Sequence, residues 1–261
     1  MKPFPSLIAS RLICRAAMAA MLAAATLSPM AAQATTVSPV MIDLQSGGRH
    51  VVANISVNNT GANPLPVEIV VVKLKATATG FEQTKENTDD LLVVPPLALI
   101  PAGQTQTFRV QWIGDPDVAE SSHYYVGINQ IPVKLPEGKS AVQVVYNFQV
   151  LTSVSSPRRK AGLVIRAATP TTVAENKPAA AITVENTGDA HDYISQHRIK
   201  ITEADASGTQ IFEKTISGSE FQQLIGYGLV ASHTTRTVNI PLPLPSARGT
   251  VSAVLMDEQA Q

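Results

Sequence analysis

Two histidines beside an aspartate form the one pattern in the sequence that suggests metal chemistry. His191 and His197 lie six residues apart, and Asp192 directly follows the first of them. Imidazole and carboxylate groups are ligands for Zn²⁺ and similar ions, so a metal pair is one interpretation. An even spacing also suits two residues on one face of a strand, with no metal between them. We expect the second interpretation and no metal site.

The sequence contains no motif for covalent or phosphate chemistry. It has no Gly-x-Ser-x-Gly elbow, no P-loop, no His-Glu-x-x-His and no pair of cysteines. Twenty basic residues balance 20 acidic ones, so the charge excess of a nucleic-acid-binding protein is missing. A hydrophobic content of 44% with only 15% charged residues excludes wholesale disorder. These observations predict a folded protein that is not an enzyme and needs no cofactor.

Residues 1–34 are typical of a cleaved secretory signal peptide. Lys2, Arg11 and Arg15 precede an apolar run over residues 16–25, and Ala32-Gln33-Ala34 offers a small-x-small cleavage site. The alternative is a membrane anchor, but the run is shorter than the roughly 20 apolar residues that span a bilayer. We therefore expect cleavage after Ala34 and export.

Removal of this segment changes the charge and the cysteine content. It takes three of the 20 basic residues and none of the 20 acidic ones, which leaves a net charge of −3. It also takes Cys14, the only cysteine. The exported protein would therefore have no disulfide and depend on packing alone. No later segment is long and apolar enough to predict stable insertion in a membrane.

The rest of the chain has the pattern of β-strands. Short runs rich in Val, Ile and Thr alternate with Gly, Pro, Asn and Asp, and no window keeps a helical apolar spacing. About seven strands in each half predict an all-β protein of two immunoglobulin-like β-sandwich domains. The predicted strands are Val37–Leu44, Val51–Asn58, Val67–Ala76, Leu91–Val94, Thr105–Trp112, Tyr124–Ile131, Val142–Val154, Leu163–Ala168, Ala180–Glu185, Ile194–Glu203, Ile211–Ile216, Phe221–Ile225, Thr235–Ile240 and Val251–Met256.

A short internal repeat supports the division into two domains. Ile55–Gly61 reads ISVNNTG and Ile182–Gly188 reads ITVENTG, at an offset of 127 residues. Each copy is an alternating strand that ends in an Asn-Thr-Gly turn, and the offset is the length of one sandwich. Chance recurrence in a β protein is the alternative. We place the domains at residues 35–156 and 157–261, with the join in a polar, basic stretch.

One predicted strand is unusually long. Val142–Val154 has a nearly continuous apolar face and a mostly polar opposite face over thirteen residues, about twice the usual strand length. It contains no Lys, Glu or Pro to protect it as an edge strand. Either neighbouring strands bury it, or its edge is meant for a strand of another protein.

Motifs along the whole exported chain resemble one known family. They are Val37-Ser38-Pro39, Ile42-Asp43-Leu44, Ile55–Gly61, Pro95-Pro96, Ile100–Gln104, Phe108-Arg109-Val110, Ile131-Pro132 and the long strand that ends before Pro157. In this order, and with the signal peptide and the two-domain length, they resemble the PapD-like periplasmic chaperones of chaperone–usher pilus systems.

The resemblance implies two immunoglobulin-like domains in an L-shaped arrangement and a non-enzymatic role in the periplasm. Its partners would be pilus or fimbrial subunits, which lack their last strand, and an outer-membrane usher that receives them. The long strand would complete each subunit by donor-strand complementation. The subunit-binding residues would be Val142, Val144, Tyr146, Phe148 and Val150. The free form would cover its edge either by self-association or by closing the loop over residues 131–140.

The sequence departs from the family where the subunit's terminal carboxylate is anchored. Family members use basic side chains between the domains, one of them an Arg of the first strand. Met41 stands in that place, and residues 151–153 (Leu-Thr-Ser) stand in the place of a second basic residue. By position, the candidates for an anchor or hinge are Arg109, Arg158 and Lys160. A solvated linker is the alternative role for residues 158–160.

Two other functions remain open. A two-domain adhesive or structural surface protein would bury the long strand in its own fold. An exported hydrolase or metal carrier would need His191 and His197 to act together.

Overall fold

The computed structural model describes residues 35–86, 88–132, 145–246 and 249–257, so the predicted signal peptide lies outside the described residues. These residues form eighteen strands, one α-helix and two short 3₁₀ turns. The predicted all-β fold is therefore confirmed. Within the same ranges, no helix is long and apolar enough to cross a membrane.

The first sandwich consists of two sheets. One has the strand order β1-β3-β8-β6, and the other has the order β2-β10-β9-β4-β5, with β7 also paired to β4. The strands are β1 (Thr36–Ser38), β2 (Met41–Gln45), β3 (Val52–Asn58), β4 (Leu65–Ala76), β5 (Phe81–Gln83), β6 (Leu91–Val94), β7 (Leu97–Ile100), β8 (Thr105–Trp112), β9 (Ser122–Gln130) and β10 (Asn147–Ser155).

The second sandwich has sheets of order β11-β12-β17 and β15-β14-β18, with a two-stranded ribbon of β13 and β16. Its elements are β11 (Leu163–Val173), β12 (Lys177–Asn186), β13 (Asp192–Tyr193), β14 (His197–Ala204), β15 (Gln210–Ile216), helix α1 (Gly218–Ile225), β16 (Leu229–Val230), β17 (Thr235–Pro241) and β18 (Thr250–Asp257).

Each sandwich has its own hydrophobic core, built by alternation along the strands. In β9, for example, Tyr124, Val126 and Ile128 are fully buried on one face. Side chains of opposite parity point to the outer face of the same sheet. Ile182 and Val184 of β12 are fully buried in the second core in the same alternating way.

The two copies of the internal repeat make the same hydrogen bonds. Both asparagines are buried, and each donates from Nδ2 to a carbonyl four residues later and to one on a distant strand. Asn59 reaches the carbonyl of Ile100 at 2.9 Å, and Asn186 reaches that of Val230 at 3.2 Å. Each Oδ1 accepts the backbone N–H of the Gly two residues later, at 3.0 Å. The repeat therefore marks a corner that has the same hydrogen-bonded structure in each sandwich.

Two strand predictions are wrong in detail. The segment Phe221–Ile225 belongs to helix α1, because Ser217 Oγ accepts the backbone N–H of Glu220 and caps its first turn. The Ser-x-x-Glu spacing of these two residues was the signal for this helix. The single strand predicted over Val37–Leu44 is two strands, since β1 pairs with β3 in one sheet and β2 pairs with β10 in the other.

We predict that Asn59→Ala and Asn186→Ala each lower the free energy of unfolding by about 2–3 kcal/mol. A buried carbonyl left without a donor costs about 1–3 kcal/mol, and each substitution strands more than one. Urea unfolding followed by the fluorescence of Trp112, the only tryptophan, reports on the first sandwich, and circular dichroism reports on the second. Asn54→Ala, at an exposed position of β3, is the control. Equal losses in all three variants would contradict the role of the buried asparagines.

Candidate functional site

Strand β10 has an edge that is only half occupied. On one side it pairs with β9 from Asn147 to Val154. On the other side, pairing with β2 begins only at Leu151, whose N–H donates to the carbonyl of Val40 at 3.1 Å. Among the described residues, no strand pairs with this second edge over residues 147–150. Four residues of β10 thus border an open position in the sheet.

Backbone groups on the open edge are available for pairing. Successive residues of a strand direct their N–H and C=O groups to opposite edges. The carbonyl of Tyr146 accepts the N–H of Gln130 on β9, whereas the N–H of Leu151 points towards β2. Asn147 and Gln149 have the parity of Leu151, so their backbone groups point to the open edge. They offer two donors and two acceptors to an incoming strand.

The apolar face of β10 continues into the core, and Tyr146, directly before the strand, extends it at the surface. Tyr146 is 39% exposed, and its ring stacks on that of the half-buried Phe148 at a centroid distance of 6.1 Å. Val150 is 1% exposed and packs in the core of the first sandwich. The predicted subunit-binding residues Val142 and Val144 lie outside the described residues. In the described part of the strand, the accessible apolar face ends at Phe148.

The outer face of β10 contributes to the junction of the two sandwiches. Strand register places Ser153 between Asp43 of β2 and His123 of β9. From the second sandwich, Tyr193 donates its hydroxyl to Asp43 Oδ1 at 2.6 Å, and His191 Nε2 lies 3.0 Å from the same oxygen. These contacts connect residues about 150 positions apart in the chain. They fix the two sandwiches to each other around one carboxylate.

That carboxylate stays ionised. Burial raises the pKa of Asp43, but the hydrogen bonds from His191 and Tyr193 and the nearby imidazoles outweigh burial, and the net pKa lies below its usual value. Burial and the adjacent Asp43 charge raise the pKa of the Tyr193 hydroxyl, which therefore stays protonated as a donor.

His123 is buried in the same junction without a charge partner of its own. Its Nδ1 lies 2.9 Å from Ser153 Oγ, and its ring packs edge-on against Phe81 and His191 at 5.2 and 5.3 Å. Its Nε2 is buried, with no hydrogen-bond partner in the described part of the chain. Burial lowers the pKa of His123 to about 3, so the imidazole is neutral at physiological pH.

A cavity of about 410 Å³ opens beside this network, between the sandwiches. Its lining combines carboxylates, imidazoles and amides and includes no Lys or Arg side chain. The lining residues are Asp43, Leu44, Gln45, His50, Ser155, His191, Asp192, Tyr193 and Gln196. A carboxylate ligand would meet the negative charge of Asp43 here.

The basic residues suggested by the sequence lie apart from this cavity. Arg109 is exposed on β8, in the opposite sheet of the first sandwich. Arg158 pairs with Asp117 at 3.3 Å, and Lys160 is exposed on the linker. The linker passes so close to Gly188 that a Cβ there would lie 2.2 Å from the Lys160 carbonyl oxygen. Residues 158–160 thus join the sandwiches, and the structure does not bring Arg109 together with them.

The two histidines of the sequence pattern have different partners. His191 bonds to Asp43 and Ser121, whereas His197 pairs with Asp192 at 2.9 Å. Across the described residues, no group of three metal-ligating side chains converges. The sequence offered no signal for the junction roles of Asp43 and Tyr193, because their partners lie in the other domain.

We predict that acid destabilises the protein through His123. Its pKa is about 3 when folded and about 6.5 when unfolded, so between these values the unfolded chain binds more protons. Stability is therefore complete above pH 6.5 and falls as the pH drops, by about 1.4 kcal/mol per unit. His123→Gln should flatten this dependence, whereas His50→Gln, at an exposed position, should not. Urea unfolding midpoints at pH 7.5, 6.0 and 5.0 measure the pH dependence of stability. Equal slopes in wild type and His123→Gln would contradict the role of His123.

Comparison with known proteins finds a family model that matches the first sandwich. Residues 34–151 match the family described as pili and flagellar-assembly chaperone, PapD N-terminal domain. The crystal structure of the class 5 fimbriae chaperone CfaA is similar, with a TM-score of 0.53, 15% identity, and coverage of 87% of this chain and 94% of that one. A chaperone–tip adhesin complex of CFA/I fimbriae biogenesis has the same TM-score and coverage at 13% identity. No curated protein matches the chain.

At such identities the solved structures show the shared fold, while the family match covers the sandwich that contains the open edge of β10. The family consists of assembly chaperones and not of enzymes. Residues 34–151 therefore resemble the N-terminal domain of PapD-like pili and flagellar-assembly chaperones, and the described chain as a whole shares the fold of the solved fimbrial chaperones.

Proposed function

We propose that the protein is a fimbrial assembly chaperone that holds a pilus or fimbrial subunit along the open edge of β10 by donor-strand complementation. The observation that carries the proposal is the edge over residues 147–150, where backbone groups point outward beside two stacked aromatic rings. A subunit that lacks its last strand exposes both unpaired backbone and an apolar groove. Strand β10 offers a complement to each.

Backbone pairing and side-chain burial have separate roles. The groups of Asn147 and Gln149 supply hydrogen bonds that any sequence can accept, which suits different subunits of one fibre. Tyr146 and the exposed part of Phe148 supply apolar area, worth about 1.5–3 kcal/mol for a fully buried side chain. Val142 and Val144 continue the same alternation in the sequence and extend the proposed donor strand. Val150 supports it from within the core.

The cellular setting follows from the same proposal. Residues 1–34 are removed as a signal peptide on export, and the chaperone acts in the periplasm. It then delivers the subunit to an outer-membrane usher. The CFA/I relative was solved as a chaperone–tip adhesin complex, which supports a subunit partner for this chain. Self-association through the same edge would protect the free form.

A backbone substitution tests the edge most directly. Gln149→Pro removes an N–H that points to the open edge, a position where proline is tolerated in a strand. Capture of subunits from the native periplasm by the tagged protein should fall at least about tenfold. Gln149→Ala removes only an exposed side chain and should capture like wild type. Binding is measured by pull-down and mass spectrometry, and folding by thermal melting.

Tyr146→Asp gives a second, side-chain test. It places a charge in the proposed contact, and capture should fall while the melting temperature stays within a few degrees. Leu224→Asp, at a similar exposure of 42% on helix α1, is the matched control. Equal capture by Gln149→Pro, Tyr146→Asp and wild type would reject the proposal. A wild-type protein that captures no subunit would favour a structural surface role.

A further inference from the structure

Strand β10 begins at a fork in its sheet. Its neighbour β9 stays in the sheet beyond this point, since the N–H of Ile131 donates to the carbonyl of Pro66 on β4 at 2.9 Å. The ladder between β9 and β10, in contrast, ends at the pair of Asn129 and Asn147. Tyr146 comes directly before β10 and is therefore the place where that strand joins the sheet.

Gln130 holds Tyr146 at this fork with both its backbone and its side chain. Its N–H donates to the carbonyl of Tyr146 at 2.9 Å, as in an ordinary antiparallel pair. Such a pair exchanges a second backbone bond in the reverse direction. Here the N–H of Tyr146 donates to Oε1 of the Gln130 side chain at 3.1 Å. The side chain thus supplies the acceptor that a strand carbonyl supplies elsewhere in the ladder.

This side-chain bond acts on the residue that leads into the open edge. Tyr146 is 39% exposed, so little packing fixes its backbone, and the end of a strand frays when its hydrogen bonds are lost. The ring of Tyr146 stacks on that of Phe148 with an angle of 12° between the planes. Because the position of a ring depends on its own backbone, the two bonds from Gln130 keep the rings stacked and the following edge extended.

The residue type at position 130 suits this role better than a role in the core. Alternation along β9 places Gln130 on the same face as the buried Ile128, one step further towards the open end of the sandwich. Gln130 is half-buried there. A leucine would extend the apolar face at this position, whereas the amide offers an acceptor to Tyr146.

We propose that Gln130 is a positioning residue for client binding, which holds Tyr146 in the extended form that a client strand requires. Gln130 acts through Tyr146, because β10 stands between β9 and the open edge. A donor segment that is already extended loses less conformational entropy on binding, so preorganisation raises the affinity. This proposal rests on the proposed function, because it needs a client on the edge of β10.

The length and chemistry of the side chain at position 130 give a graded test. Gln130→Ala removes the acceptor and should weaken binding of the subunit that co-purifies with wild type by about five- to tenfold. Gln130→Asn has an amide that is one methylene too short and should behave like Gln130→Ala. Gln130→Glu keeps an acceptor oxygen at the same distance and should restore most of the affinity. Competition between differently tagged wild type and variant for a limiting amount of this subunit measures the ratio of affinities.

The matched control is Gln106→Ala. It removes a glutamine of the opposite sheet whose Nε2 donates to the backbone carbonyl of Thr107 at 2.7 Å. This variant should compete like wild type, because its hydrogen bond lies away from β10.

Hydrogen exchange in the free protein reports on the bond itself. The Tyr146 amide, followed by NMR, should exchange about tenfold more slowly in wild type and Gln130→Glu than in Gln130→Ala and Gln130→Asn. Melting temperatures should agree within a few degrees, since the bond lies at an exposed strand end.

Equal exchange at Tyr146, or equal competition, in wild type and Gln130→Ala would overturn the proposal. A melting temperature lowered alike in all three variants, with the same loss of binding in Gln130→Glu, would make Gln130 a structural residue and would also overturn it. Capture of the subunit by wild type shows beforehand that the proposed function stands, so either result would concern Gln130 alone.

Discussion

The pairing of β10 with β9 is the interaction on which the rest of the structure depends. Its register sends Val150 and Val154 into the first core and Ser153 to the junction with the second sandwich. A slip of one residue would exchange these two faces. The same register leaves residues 147–150 without a partner on the other edge, because β2 begins to pair only at Leu151. One ladder thus sets the core, the junction and the open edge together.

Two charged side chains near the junction differ in how far hydrogen bonds satisfy them. Asp43 is an anion that two donors of the second sandwich satisfy, and this stabilises the contact between the sandwiches. Arg236 is a cation that keeps only a backbone carbonyl as partner. The first arrangement is what a structural contact requires, since a partly desolvated charge is tolerated when donors satisfy it. The second leaves a half-buried cation without a carboxylate partner among the described residues.

The corner formed by Asn59 and by Asn186 explains why two sandwiches of different sequence keep one plan. Each asparagine closes its own turn through Oδ1 and ties it to a distant strand through Nδ2. An isosteric apolar residue could do neither. The repeat was visible in the sequence because every one of these bonds depends on a single residue type at a fixed distance from a glycine.

Local patterns were sufficient for the strand content and the repeat, since alternation and turn residues act over a few positions. The unusual length predicted for the strand over Val142–Val154 is not confirmed, because in the described residues β10 is the nine-residue strand Asn147–Ser155. Local patterns failed at Phe221–Ile225, where a cap at Ser217 outweighed a short apolar run. They also could not reveal the junction, because Asp43 and Tyr193 are joined only after both sandwiches have folded. Which edge of β10 stays open depends on contacts between residues far apart in the chain, and such contacts leave no local pattern.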